Sequence, residues 1–110
     1  MDYTFFNSLA SEISLPEKGI LSNVLRKDEY VNITTFGFAA GQELSAHSAP
    51  TPAVLYFLEG AADVRLGDDT VSAQAGSLVY MPPMLTHGIS AKSPVKMLLV
   101  QFKTGTGKAS

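Results

Sequence analysis

The 110-residue sequence contains no cysteine and only two histidines. The absence of cysteine excludes a disulfide framework, a thiolate nucleophile and a zinc site built from cysteines. Charged residues make up only 16% of the chain, and its eight Lys and Arg form no cluster larger than the pair Arg26-Lys27. Nucleic acid is therefore not expected as a partner, because nucleic-acid-binding domains concentrate basic side chains on one surface.

Long apolar segments and targeting signals are also missing. The most apolar run, Ala53 to Leu58, is far shorter than the roughly 20 residues that cross a bilayer as a helix. The first six residues, Met1 to Phe6, contain neither the basic nor the apolar region of a signal peptide. A cytoplasmic protein without a membrane partner is the expectation.

What the sequence does contain is a series of short strand patterns. Its hydrophobic fraction of 45% is typical of one globular domain. After Leu21 no apolar pattern of helical period is sustained, and β-branched and aromatic segments alternate with Gly, Pro and Asp. Seven or eight strands are predicted, within the segments 22–28, 30–39, 53–59, 62–66, 70–74, 77–81, 87–91 and 96–103. This pattern predicts an all-β sandwich or barrel.

The ends of the chain are less patterned than its middle. Residues 1–21 are predicted to form an N-terminal arm that lies over the barrel or over a partner subunit. Residues 22–103 are predicted to form the barrel, and the polar, Gly-rich residues 104–110 a flexible tail.

Two segments share an arrangement of glycine, proline and histidine. The first has Gly41, then His47 after five residues, then Ala49 and Ala53, and ends at Gly60. The second has Gly76, then Pro82 after five residues, then His87 and Ala91. We expect these two segments to face each other across a small barrel.

The spacing of both segments resembles the two motifs of the cupin superfamily. The resemblance covers roughly residues 21–103 and implies a small cupin barrel, that is, a double-stranded β-helix or jelly roll. Cupins typically hold a divalent metal with three histidines and one glutamate. His47 and His87 match the first and last of these ligands, whereas Ala49 and Ala53 stand where the second histidine and the glutamate would be.

The resemblance therefore implies a reduced metal site at His47 and His87. Such a site would hold one divalent ion (Zn, Ni, Fe or Mn) weakly, because two imidazoles leave most coordination positions to water or substrate. Replacing two polar ligands with alanines also makes the cavity roomier and more apolar. Five further residues are predicted to line the pocket: Glu43, Tyr56, Phe57, Tyr80 and Met84. Glu43 points the same way as His47 only if no bulge separates them.

Two functions remain open from these observations. The first is a barrel that binds a small molecule in its cavity, where ligand sites tend to lie. The second is a metal-dependent cupin enzyme of the dioxygenase or isomerase type that uses His47 and His87. Small cupins usually form homodimers, so the resemblance also implies a homodimer. A serine–histidine–acid triad and a phosphate-binding glycine loop have no support in the sequence.

Overall fold

The computed structural model describes residues 2–103. These residues contain a short 3-10 helix, Leu9–Glu12, followed by strands only. The strands are β1 (Ile20–Lys27), β2 (Val31–Phe38), β3 (Glu43–His47), β4 (Ala53–Glu59), β5 (Ala61–Leu66), β6 (Asp69–Gln74), β7 (Leu78–Met81), β8 (His87–Ala91) and β9 (Val95–Phe102). The all-β prediction is confirmed. No helix among these residues is long and apolar enough to cross a membrane.

The strands form two antiparallel sheets. The larger sheet has the order β1-β2-β9-β4-β7, and the smaller sheet has the order β3-β8-β5-β6. Strands that are adjacent in space are in several cases distant in sequence, as for β2 with β9 and β3 with β8. Such long-range pairing produces a closed pair of layers in which the inner faces of both sheets meet.

The core lies between the two inner faces and follows the two-residue period of the strands. In β4, Ala53, Leu55 and Phe57 are buried, while the intervening Tyr56 is exposed. In β5, Ala62 and Val64 are buried in the same way. Successive side chains of a strand point to opposite faces, so this alternation assigns one face of each strand to the core.

The N-terminal segment lies across the outer face of the larger sheet. Ile13 is only 5% exposed, and Lys96 of β9 donates a hydrogen bond from Nζ to the Ala10 carbonyl at 2.9 Å. Gly37 of β2 lies directly beneath the Ser14 carbonyl, and a Cβ atom at position 37 would collide with that oxygen. Close packing of this segment on β2 therefore requires the glycine.

The structure departs from the sequence prediction in two places. Strand β3 was not predicted as a separate element, because four of its five residues are exposed and it lacks an apolar alternation. Pairing of β1 begins at Ile20, two residues before the predicted start of the barrel at residue 22. The predicted tail, residues 104–110, lies outside the described residues.

Candidate ligand cavity

His47 and His87 lie side by side at the end of the β3–β8 pair. Their Cα atoms are direct cross-strand partners, and their ring centroids are 4.4 Å apart with the ring planes inclined at 55°. At this point the two motif segments are neighbouring strands of one sheet. The prediction that they face each other across the barrel is therefore wrong here. Antiparallel pairing brings side chains opposite each other to about 5 Å, which accounts for the contact.

Both imidazole rings are held in the same tautomer. Nδ1 of His47 lies 3.0 Å from the Ser45 carbonyl oxygen, and Nδ1 of His87 lies 2.9 Å from the Leu85 carbonyl oxygen. Since a carbonyl oxygen only accepts, each Nδ1 must carry the hydrogen and donate it. In the neutral rings, each Nε2 is consequently a hydrogen-bond acceptor, and neither has a partner among residues 2–103.

The two rings form part of the wall of a cavity of about 200 Å³ between the sheets. Most of this wall is apolar, and its polar side chains are His47, Thr51, His87 and Gln101. Apart from the two histidines, no titratable side chain of residues 2–103 lines it. The remaining wall residues are Phe36, Leu44, Ala49, Ala53, Leu55, Met81, Pro82, Leu85, Gly88, Ile89, Met97 and Leu99.

A β-bulge in β3 decides which of its side chains reach the cavity. Leu44 pairs with Ile89 and His47 pairs with His87, so three steps along β3 correspond to two steps along β8. The extra residue reverses the alternation between these points. Leu44 and His47 therefore share the cavity face, whereas Glu43 lies in a polar groove on the opposite face with Asp63 and Arg65.

The other four predicted pocket residues also lie outside the cavity wall. Tyr56 and Tyr80 point away from the core on the outer face of the larger sheet, with exposures of 37% and 58%. Phe57 is fully buried in the core but does not reach the cavity. Met84 is exposed in the β7–β8 loop with a positive φ of 69°, and its N–H donates to the Ala49 carbonyl at 2.7 Å.

The sequence prediction missed several residues of the cavity wall. Leu44 could not be identified because the bulge leaves no mark in the pattern of apolar residues. Gln101 does have a signal, since it continues the inward series Met97 and Leu99 of β9 as a polar residue. A polar side chain in a series of core positions indicates a place where the wall meets a ligand or water.

The donor set at this cavity does not fit a catalytic metal centre. Such centres in zinc enzymes use three protein ligands and leave the fourth position to water or substrate. Within residues 2–103, no three His, Asp or Glu side chains come close enough together to hold a metal ion. Ala49 and Ala53 line the cavity beside the two histidines, so the side chains that would complete a metal shell are methyl groups.

Comparison with known proteins identifies the family of the chain. The model of the cupin domain matches residues 34–101, which span β2 to β9 and include the cavity. The chain belongs to the cupin family. The predicted cupin jelly-roll barrel is thereby confirmed, and the two sheets are the two halves of that barrel.

Solved protein structures are similar to the chain over most of its length. A conserved protein of unknown function from Streptococcus pyogenes is 28% identical, with 94% of this chain and 90% of that chain covered and a TM-score of 0.83. A cupin superfamily protein from Desulfitobacterium hafniense is also 28% identical, with 86% of each chain covered and a TM-score of 0.82. No curated protein matches the chain.

Proposed function

We propose that this cupin binds a small, largely apolar molecule in the cavity between its sheets. The observation that carries the proposal is the cavity itself, whose wall is apolar except for two imidazoles, one hydroxyl and one amide. Ligand sites are typically concave and mostly apolar, with a few polar groups that orient the ligand. A volume of about 200 Å³ is below the usual 300 to 1,000 Å³ of drug-sized sites, so the ligand is small.

The direct test is binding of an apolar probe that fits the cavity. Toluene should bind saturably in ligand-observed NMR, since apolar cavities of about 150 Å³ in other proteins accept benzene. The variant Ala53→Leu should weaken toluene binding at least roughly tenfold, because it places three more carbon atoms in the cavity. Ser72→Leu, a matched addition at an exposed position of β6, should leave binding unchanged. Absence of saturable binding, or equal binding by Ala53→Leu, would contradict the proposal.

A metal-dependent enzyme of the dioxygenase or isomerase type is the second candidate. The observation that favours it is the fixed tautomer of both rings, because metal-binding histidines commonly donate their other ring N–H to a carbonyl. Two imidazoles without a carboxylate would hold Zn, Ni, Fe or Mn only weakly.

Restoring the missing ligands tests this candidate. We expect the double variant Ala49→His/Ala53→Glu to bind Zn more tightly than the unaltered chain, as measured by calorimetry. The gain should exceed 10- to 100-fold, which is the contribution of residues that only hydrogen-bond to a metal ligand. The unaltered chain should bind Zn, Ni, Fe and Mn weakly or not at all. Tight metal binding by the unaltered chain would favour the second candidate over the first.

We also propose that two copies of the chain associate through the outer face of the larger sheet. Support comes from Tyr56, Leu78 and Tyr80, which lie exposed on the adjacent strands β4 and β7, with Tyr56 the direct partner of Leu78. Exposed apolar patches often mark interaction sites. Light scattering should return a dimer for the unaltered chain and a monomer for Leu78→Asp. A monomeric unaltered chain at micromolar concentration would refute this part.

A further inference from the structure

The two histidines give the cavity a hydrogen-bonding character that its shape alone does not reveal. Both Nδ1–H groups are already used by the Ser45 and Leu85 carbonyls, so each neutral ring offers only the lone pair of Nε2. The two rings, whose centroids are 4.4 Å apart, therefore place two hydrogen-bond acceptors on neighbouring side chains of the cavity wall. A ligand that brings only acceptors to this wall would face two lone pairs and leave both unsatisfied.

The other polar side chains of the wall do not alter this balance. The Thr51 hydroxyl and the Gln101 amide can each donate and accept, so they serve either type of ligand. In the part of the chain that the structure describes, no Lys or Arg lines the cavity to neutralise an anion, and no Asp or Glu lines it to neutralise a cation. Burying an unpaired charge is far more costly than burying a hydroxyl group that finds an acceptor.

We infer that the cavity selects an uncharged single-ring compound that carries a hydroxyl donor, such as a phenol, and that this donor binds Nε2 of His47 or His87. The inference rests on the proposed small-molecule function and specifies the class of its ligand. The ring occupies the apolar part of the cavity, between Phe36, Leu55 and Met97. The hydroxyl group lies at the histidine end of the cavity, where His47 is exposed and His87 half-buried.

The test compares two isomers that differ in hydrogen bonding. p-Cresol and anisole have the same atoms, but p-cresol has a hydroxyl donor and anisole is an acceptor only. Calorimetric titration at pH 8 in the presence of EDTA should give a dissociation constant for p-cresol that is roughly three- to tenfold lower, as expected for one net hydrogen bond at a partly wet site. Benzoate, an anion of similar size, should bind more weakly than either isomer.

Variants of the cavity wall test whether the histidines cause the preference for p-cresol over anisole. His47→Leu and His87→Leu keep side-chain bulk and remove one acceptor each, so at least one of them should bring the p-cresol to anisole ratio close to one. Ser72→Val also removes a hydroxyl group, but at an exposed position of β6 outside the cavity wall, and should keep the ratio. If the histidine variants do not fold, the isomer ratio of the unaltered chain remains decisive.

Each outcome has a separate meaning. Equal binding of the isomers, or tighter binding of anisole or benzoate, would overturn the inferred ligand class while toluene binding still supports the proposed function. A preference for p-cresol that exists only without EDTA would assign it to a bound metal, and would also overturn the inference. Failure of toluene, anisole and p-cresol alike to bind would refute the proposed function and the inference together.

Discussion

Two glycines of the cupin motifs both adopt a positive φ, but only one of them packs closely against another backbone segment. Replacing each with alanine therefore separates the stability cost of the close contact from that of the positive φ. Gly60 ends the first motif with a φ of 91°, and Gly76 begins the second with a φ of 94°. A Cβ atom at position 60 would collide with the Pro94 carbonyl and lie 2.9 Å from the Val95 Cα atom. A Cβ atom at position 76 would meet nothing within 4 Å. Both substitutions to alanine thus have the cost of a positive φ, and only Gly60→Ala also has the cost of a steric collision.

The shared penalty is that of an L-residue at positive φ, about 1 to 2 kcal/mol. Alanine also restricts the unfolded chain, which returns about 0.4 to 1 kcal/mol. Gly76→Ala should therefore cost about 1 kcal/mol. Gly60→Ala must in addition move the backbone at Pro94, which directly precedes β9, and overpacking of this kind adds about 1 to 3 kcal/mol. A total of about 2 to 4 kcal/mol is a large part of the 5 to 15 kcal/mol that stabilises a typical domain.

Urea unfolding followed by circular dichroism measures the difference. With a slope of about 1 to 3 kcal/mol per molar urea, Gly60→Ala should unfold at a urea concentration about 1 M below that of Gly76→Ala. Equal midpoints for the two variants would refute the assignment of Gly60 to close packing against Pro94.

Three further predictions concern other parts of the fold. Hydrogen bonds from the backbone N–H groups of Tyr30 and Val31, at 2.8 and 3.0 Å, lower the pKa of Asp28 below its ordinary 3.8. Its carboxylate therefore stabilises the fold at neutral pH, and this stabilisation is lost as the pH falls from 3.8 through the lower folded value. Asp28→Asn, which keeps an acceptor oxygen but does not titrate, should show a smaller fall of Tm over that range; parallel curves would contradict it. Ile13→Ala should cost about 2 to 4 kcal/mol in urea unfolding if the N-terminal segment is part of the cooperative fold, and a change below about 0.5 kcal/mol would contradict this. Met84→Gly should raise Tm slightly, because it relieves a positive φ of 69° at a side chain that is mostly exposed; a lower Tm would show that the Met84 side chain contributes contacts.

The fold was predictable because two independent kinds of signal agreed. Strand patterns located eight of the nine strands, and β4 and β8 have the predicted bounds. The spacing of Gly41, Gly60 and Gly76 added the cupin motifs, and all three glycines adopt positive φ. These positions are recognisable in sequence because their backbone conformation disfavours other residues.

The wall of the cavity was less predictable because it depends on a local irregularity. The bulge between Leu44 and His47 changes which face each residue of β3 occupies, and neither its position nor its presence is encoded in a two-residue period. Glu43 was assigned to the pocket on regular alternation and lies on the other face. Tyr56 shows the opposite case: it is predicted to line the pocket, yet the regular alternation of β4 puts it on the face away from Ala53, and the structure has it there.

The same bulge explains how two histidines come to lie together at the cavity. Because the extra residue turns His47 to the cavity face, the imidazole remains beside His87 and keeps its tautomer through the Ser45 carbonyl. Ala49 and Ala53 also line the cavity, and both present apolar side chains to it. What the remaining pair offers is hydrogen-bond acceptance next to an apolar space, and this combination supports a bound organic hydroxyl more directly than a bound ion.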